Sequence, residues 1–120
     1  MGTVTLLDYG AGNVRSVRNA IRALGFEVRD VASPQDILSA ERLVFPGVGA
    51  FGSAIGRLQA DGYFEPLRRR LLEGKPFFGI CIGLQVLFEG SEESLGATGL
   101  GIIRGQVRRF PVGALAVPHM

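Results

Sequence analysis

A chain of 120 residues, 47% apolar and 20% charged, has room for one domain or part of one, enough apolar side chains for a core, and too little charge to stay unfolded. Thirteen basic residues against eleven acidic ones leave a net +2, which gives no reason to propose a nucleic acid as partner. No run approaches the ~18 apolar residues of a membrane span, and one cysteine with one histidine excludes an internal disulfide framework and a Cys/His zinc cluster.

Residues 3–7 form a β-branched and aliphatic run that predicts a strand, closed by Asp8-Tyr9-Gly10-Ala11-Gly12. Asn13 stands where an N-cap belongs. Val14, Val17, Ile21 and Leu24 then follow at helical spacing, with Gly25 at the exit. Residues 26–31 alternate like a strand, and Ser33-Pro34 opens a short helix in the favoured N-cap and N1 order. Residues 42–45 predict a third strand, stopped by Pro46-Gly47-Val48-Gly49. Two helical patterns follow: 53–60 with Ile55 and Leu58 inward, and 64–73 with Phe64, Leu67 and Leu71 inward and Gly74 as exit. Residues 76–80 are a fourth apolar run, 83–88 turn helical, and 99–110 read as two short strands broken at Gly105.

Strands alternating with helices through short Gly-rich turns imply an α/β domain, an open, doubly wound, mostly parallel sheet with helices on both faces. The pattern ends at Val117-Pro118-His119-Met120 with no final helix to cover the sheet. A doubly wound domain usually needs more chain, so residues 1–120 are expected to be the N-terminal part of a single domain, truncated at its C-terminus. The N-terminus lacks the basic flank and apolar run of a secretory signal. The expected compartment is a reducing one, the cytoplasm, or a plastid stroma if a transit peptide was removed ahead of Met1.

The sharpest chemical signal is Gly79-Ile80-Cys81-Ile82-Gly83. Glycines two before and two after a nucleophile, with a strand entering and a helix leaving, are the spacing of a nucleophile elbow. The helix N-terminus would favour the thiolate of Cys81, and the N–H of Ile82 is placed to stabilise an oxyanion. A buried structural cysteine is the competing reading, and the motif alone leaves both open. Pro46-Gly47-Val48-Gly49-Ala50-Phe51-Gly52 follows a strand and could present backbone N–H groups to an anion. Through Gly47, Gly49 and Gly52 it also matches the dinucleotide pattern G-x-G-x-x-G, with Glu73 at the range of a ribose-binding acid. That pattern belongs at the first strand of a domain and here follows the third. Arg15, Arg18 and Arg22, the run Arg68-Arg69-Arg70, and the acidic group Glu89, Glu92 and Glu93 read as solvated faces, although a substrate ammonium would suit a carboxylate of that group.

With these residues in view the chain resembles the class I, triad-type, glutamine amidotransferase family. The resemblance is carried by Asp8-Tyr9-Gly10-Ala11-Gly12-Asn13, Phe45-Pro46-Gly47-Val48-Gly49-Ala50-Phe51, Gly79-Ile80-Cys81-Ile82-Gly83-Leu84-Gln85 and Pro118-His119-Met120, in order and with fitting spacing. Pro-Gly-Val-Gly in place of the commoner Pro-Gly-Gly narrows it to the glutaminase subunits or domains of imidazole glycerol phosphate synthase, in histidine biosynthesis. The resemblance implies a flavodoxin-like fold and glutamine hydrolysis through a thioester on Cys81, with no cofactor. Gly47, Val48, Gly49 and Ile82 would stabilise the oxyanion, Gln85 would contact the amino-acid end of glutamine, and Glu89 would assist. Ammonia would pass to a (β/α)8 synthase, either fused or the second subunit of a heterodimer. A peptide of the Pro-Gly-Val-Gly segment would reorient when that partner is occupied.

The family's catalytic histidine and glutamate come from a His-x-Glu motif further along. His119 matches instead the histidine of a Pro-His-Met-Gly-Trp segment, so these 120 residues alone are expected to be inactive or nearly so. A catalytically silent module that only binds a synthase is the alternative, and a dinucleotide-binding domain is the third.

Overall fold

The structure, a computed structural model, describes residues 2–9 and 14–108. Asn13, residue 110 at the end of the last expected strand, and the Pro118-His119-Met120 segment lie outside the described residues. The elements run β1 (Thr3–Leu6), α1 (Arg15–Ala23), β2 (Glu27–Asp30), α2 (Pro34–Ser39), β3 (Leu43–Gly47), α3 (Phe51–Ala60), α4 (Phe64–Leu72), β4 (Phe77–Cys81), α5 (Ile82–Gln85), β5 (Gly90–Ser91), β6 (Ser94–Thr98) and β7 (Gln106–Val107). The first four strands form one parallel sheet in the order β2-β1-β3-β4. The strand order reverses between β1 and β3, and in open α/β sheets ligands bind outside the carboxyl ends of the strands at that point.

Alternation along the strands divides the apolar side chains between two layers. Leu7, Leu43 and Phe45 pack with Ile37 of α2, Leu58 of α3, Leu67 of α4 and Ile82 of α5 on one face. Val4, Leu6 and Val44 pack with Ile21 of α1 on the other. This second face is thinly covered: Leu24 is 67% and Phe78 63% exposed, and both line an apolar groove of about 430 Å3. The helices on both faces match the sequence expectation, but Leu24 ends α1 in solvent rather than in the core.

α2 begins as Ser33-Pro34 foretells. Asp36 reaches back to accept the N–H groups of Ala32 (2.8 Å) and Ser33 (3.1 Å), and these bonds, that from Ala32 first, hold its carboxyl below the usual range.

Two expectations need correction. Pro46 does not stop the third strand, because β3 runs on to Gly47. The Leu7 N–H bonds the Val44 carbonyl at 2.9 Å, so position 44, and position 46 two residues on, turn their polar groups toward β1. The β1–β3 register ends at Leu6 opposite Val44, and beyond it a residue without an N–H leaves no bond unmade. Residues 99–105 are not a strand either. The second sheet has the order β6-β5-β7, and its β5–β6 hairpin occupies the stretch read as a solvated acidic cluster. Within the 99–105 turn Leu100 faces inward, 1% exposed, and Ile102 packs against the same core, while Ile103 is exposed.

Candidate active site

β4 delivers Cys81 to the carboxyl edge of the sheet in a conformation that ordinary residues avoid. At φ 55°, ψ −114°, Cys81 is the one non-glycine residue with positive φ among the described residues. Strain of this kind costs about 1–3 kcal/mol and persists where the surroundings impose it. Here they are the two flanking glycines. A Cβ on Gly83 would run into the Phe45 carbonyl oxygen, and one on Gly79 into the Gly83 carbonyl. The strand-to-helix turn can therefore close only without side chains at both positions, and it leaves the thiol exposed. The helix behind it is shorter than its pattern foretold: α5 covers Ile82–Gln85, so the macrodipole is that of one turn. As the first residue of α5, Ile82 has an N–H with no intrahelical acceptor.

The strain has a measurable sign. Glycine is normally less stable than alanine by about 0.5–1 kcal/mol. At position 81 the order should reverse, with Cys81→Gly about 1 kcal/mol more stable than Cys81→Ala in urea unfolding. The ordinary order would show that the backbone there is relaxed.

The glycine-rich segment lies directly beside the thiol. In the β3–β4 ladder Gly47 is in register with Cys81. A side chain at Gly47 would collide with Tyr9 and Ile82, whose ring carbon and methyl lie 2.5 and 2.7 Å from the place of a Cβ. The Tyr9 hydroxyl donates to the Val48 carbonyl at 2.7 Å, and burial, then the nearby Asp8 carboxylate, push the phenol pKa up, which keeps it a donor. Gly49 follows at φ +113°. α3 then starts with Ala50 at its N-cap and no side-chain cap of its own. Its orphan N–H groups are taken from 42 residues away: Phe51 donates to Glu93 Oε1 at 3.1 Å and Gly52 to Ser94 Oγ at 3.0 Å.

The ledge of Gly47, Val48 and Gly49 is thus tied at one end by Tyr9 and at the other by the β5–β6 hairpin. Glu93 and Ser94 have no local signature to find them by. The hint was Ala50, a poor N-cap at the start of an otherwise clear helix.

Residues 5–113 match the family model of class-I glutamine amidotransferases. The chain belongs to the class-I glutamine amidotransferase family. It is 56% identical over 118 residues to the chloroplastic imidazole glycerol phosphate synthase hisHF of Arabidopsis thaliana, covering 98% of this chain and 20% of that protein. It is 49% identical over 115 residues to the imidazole glycerol phosphate synthase subunit HisH of Thermus thermophilus, covering 96% of this chain and 57% of that subunit. Among solved structures, one described as a glutamine amidotransferase superposes with a TM-score of 0.76 at 26% identity, over 93% of this chain and 59% of the other. The chain therefore spans little more than half of the bacterial subunit it resembles.

Within this amidotransferase framework, Gln85 ends α5, half-buried and one turn after Cys81. Glu89 is exposed, and its carboxylate accepts the Gly105 N–H at 2.9 Å. Its own N–H bonds the Gly105 carbonyl and its carbonyl the Gly99 N–H, so Glu89 braces the 99–105 turn.

The dinucleotide reading fails on topology. Glu73 caps the C-terminus of α4 and pairs with Lys75 at 3.2 Å, just before β4 begins. In a parallel sheet that is the opposite edge from Gly47, Gly49 and Gly52.

Among the arginines the solvated-face reading needs correction at Arg70 alone, whereas Arg68 is exposed and Arg18 forms a surface ion pair. Arg70 is fully buried, Arg68 donates to the Leu100 carbonyl, and Arg18 grips Asp30 with two bonds of 2.8 and 3.1 Å. Among the described residues no cluster suits a metal ion, and no helix is long and apolar enough to cross a membrane.

Proposed function

We propose that these residues are the N-terminal part of a single amidotransferase domain that hydrolyses glutamine for an imidazole glycerol phosphate synthase. The observation that carries the reading is Cys81, strained and exposed at the end of β4 with Gly47 in register beside it. Its sulfur attacks the γ-amide carbon of glutamine, a tetrahedral oxyanion collapses with loss of the nitrogen as ammonia, and water releases glutamate from the thioester. Backbone N–H groups of Ile82 and of the Gly47, Val48 and Gly49 ledge face the developing charge. Gln85 meets the amino-acid end of the substrate. Glu89 assists indirectly, through the turn it braces. Ammonia goes to a (β/α)8 synthase, fused or separate, in the cytoplasm or a plastid.

The alternative reading is a silent module that only binds its synthase; the lone histidine of these 120 residues, His119, is not that of the family's His-x-Glu motif. General-base assistance is worth about 10²–10⁴ in rate. The isolated 120 residues should therefore turn over glutamine slower by about that factor than the same chain joined to a segment carrying the His-x-Glu motif. Treatment with a glutamine-mimicking diazoketone, followed by mass spectrometry, should place one adduct on Cys81. An unmodified Cys81 in a protein that the reagent has inactivated would overturn the assignment. An extended protein that takes the label but releases no ammonia would establish the silent module.

A further inference from the structure

Resting on that glutaminase reading, we propose that Tyr9 is a positioning residue for the oxyanion ledge: its hydroxyl holds the Val48 carbonyl so that the Gly49 N–H is turned toward Cys81. The ring itself is fixed. It is 4% exposed, meets Phe45 edge-on with centroids 5.7 Å apart at 88°, and fills the space that a side chain at Gly47 would take. The peptide it holds has little else to hold it, since Val48 is 49% exposed and Gly49 has no side chain.

Topology sets the direction. Tyr9 follows β1 on one side of β3, and Cys81 ends β4 on the other. A trans peptide points its C=O and N–H in opposite directions. A Val48 carbonyl drawn 2.7 Å from the Tyr9 hydroxyl therefore sends the next N–H toward the β4 side. The φ of +113° at Gly49, which an ordinary residue resists, is the turn this orientation requires.

The test compares two reagents on the 120-residue chain. 5-Oxopentanoate adds to Cys81 reversibly: the sulfur bonds the aldehyde carbon, and the thiol proton moves to the aldehyde oxygen, which then sits where the oxyanion would. Iodoacetamide alkylates the same sulfur with loss of iodide and develops no charge on oxygen.

Tyr9→Phe should weaken the aldehyde adduct roughly tenfold while changing the iodoacetamide rate less than about twofold. Unchanged aldehyde affinity, or an equal loss with both reagents, would overturn the proposal. If Tyr9→Phe also lowers the melting temperature, Ile21→Val is the control, because it loosens the opposite face of the sheet and leaves the Tyr9 ring and its contacts in place; the native ratio of the two reactivities should survive in it. A chain joined to the segment carrying the His-x-Glu motif whose Cys81 still refuses the diazoketone would sink the glutaminase reading and this one with it. Labelling of the native chain with no effect of Tyr9→Phe on the aldehyde would sink this one alone.

Discussion

Gly83→Ala should destabilise the chain by at least about 3 kcal/mol and abolish diazoketone labelling of Cys81. The methyl would enter the Phe45 carbonyl oxygen and come within 2.9 Å of its carbon. These are backbone atoms of β3, paired with β4 in the middle of the site, and no rotamer change can clear them. The chain can respond by moving α5 off β3, which removes Ile82 from the core and carries Cys81 away from Gly47, or by unfolding the turn. Gly79→Ala should act in the same sense, since its methyl would press on the Gly83 carbonyl and the Leu84 nitrogen. Gly56, inside α3, is the control: a Cβ there meets nothing within 4 Å. Gly56→Ala should therefore stabilise by about 0.5–1 kcal/mol through helix propensity. Urea unfolding reads all three. A Gly83→Ala variant with the native midpoint would mean that α5 does not approach β3 as closely as the contacts state.

These glycines also mark how far the site could be read before any coordinates. The elbow was legible because its requirement is local: five consecutive residues, a strand before and a helix after. The ledge was legible for the same reason, and so was the parallel sheet, because apolar runs and helical stripes alternate with little ambiguity from residue 3 to 88. What joins these parts was not legible. Whether Glu93 is a solvated carboxylate or the cap of Phe51 depends on a hairpin that folds back across 42 residues, and no short-range pattern encodes that distance. The hairpin itself escaped notice because Gly90, Ser91, Ser94 and Gly96 lack the β-branched alternation that signals a strand. Tyr9 was read as part of a turn, and only the end of β3 beside it shows what its hydroxyl reaches. Pro46 misled because the rule against proline in central strands assumes a neighbour on both sides, and β1 has ended where Pro46 begins.

Arg70 escaped for a related reason, and it supports the largest stability effect outside the site. Three consecutive arginines on a helix suggest solvent, yet Arg70 is three residues after Leu67 and shares its buried face. Its guanidinium donates to the carbonyls of Ile37 (3.1 Å), Ala40 and Pro76 (2.8 Å), and its Nε has no partner. Burial lowers its pKa, but a guanidinium remains charged, so the carbonyls must hold a cation within the fold. They do so where the chain has few alternatives: α2 is six residues long and cannot satisfy its own last carbonyls, and Pro76 leads into β4. One side chain thus ties the end of α2, the last turn of α4 and the entry to the strand that carries Cys81.

Arg70→Ala should cost about 3–5 kcal/mol, because three carbonyls lose their donor and the vacated volume is apolar. That is a large part of the 5–15 kcal/mol typical of a domain. Arg70→Met separates the two causes. It restores most of the volume and none of the donors, so a loss close to that of alanine assigns the effect to the carbonyls. Near-native stability would assign it to packing and refute the tie. Arg70→Lys, with one compact ammonium in place of a planar fork, should fall between native and Met, since it can satisfy one or two of the three carbonyls and not all of them.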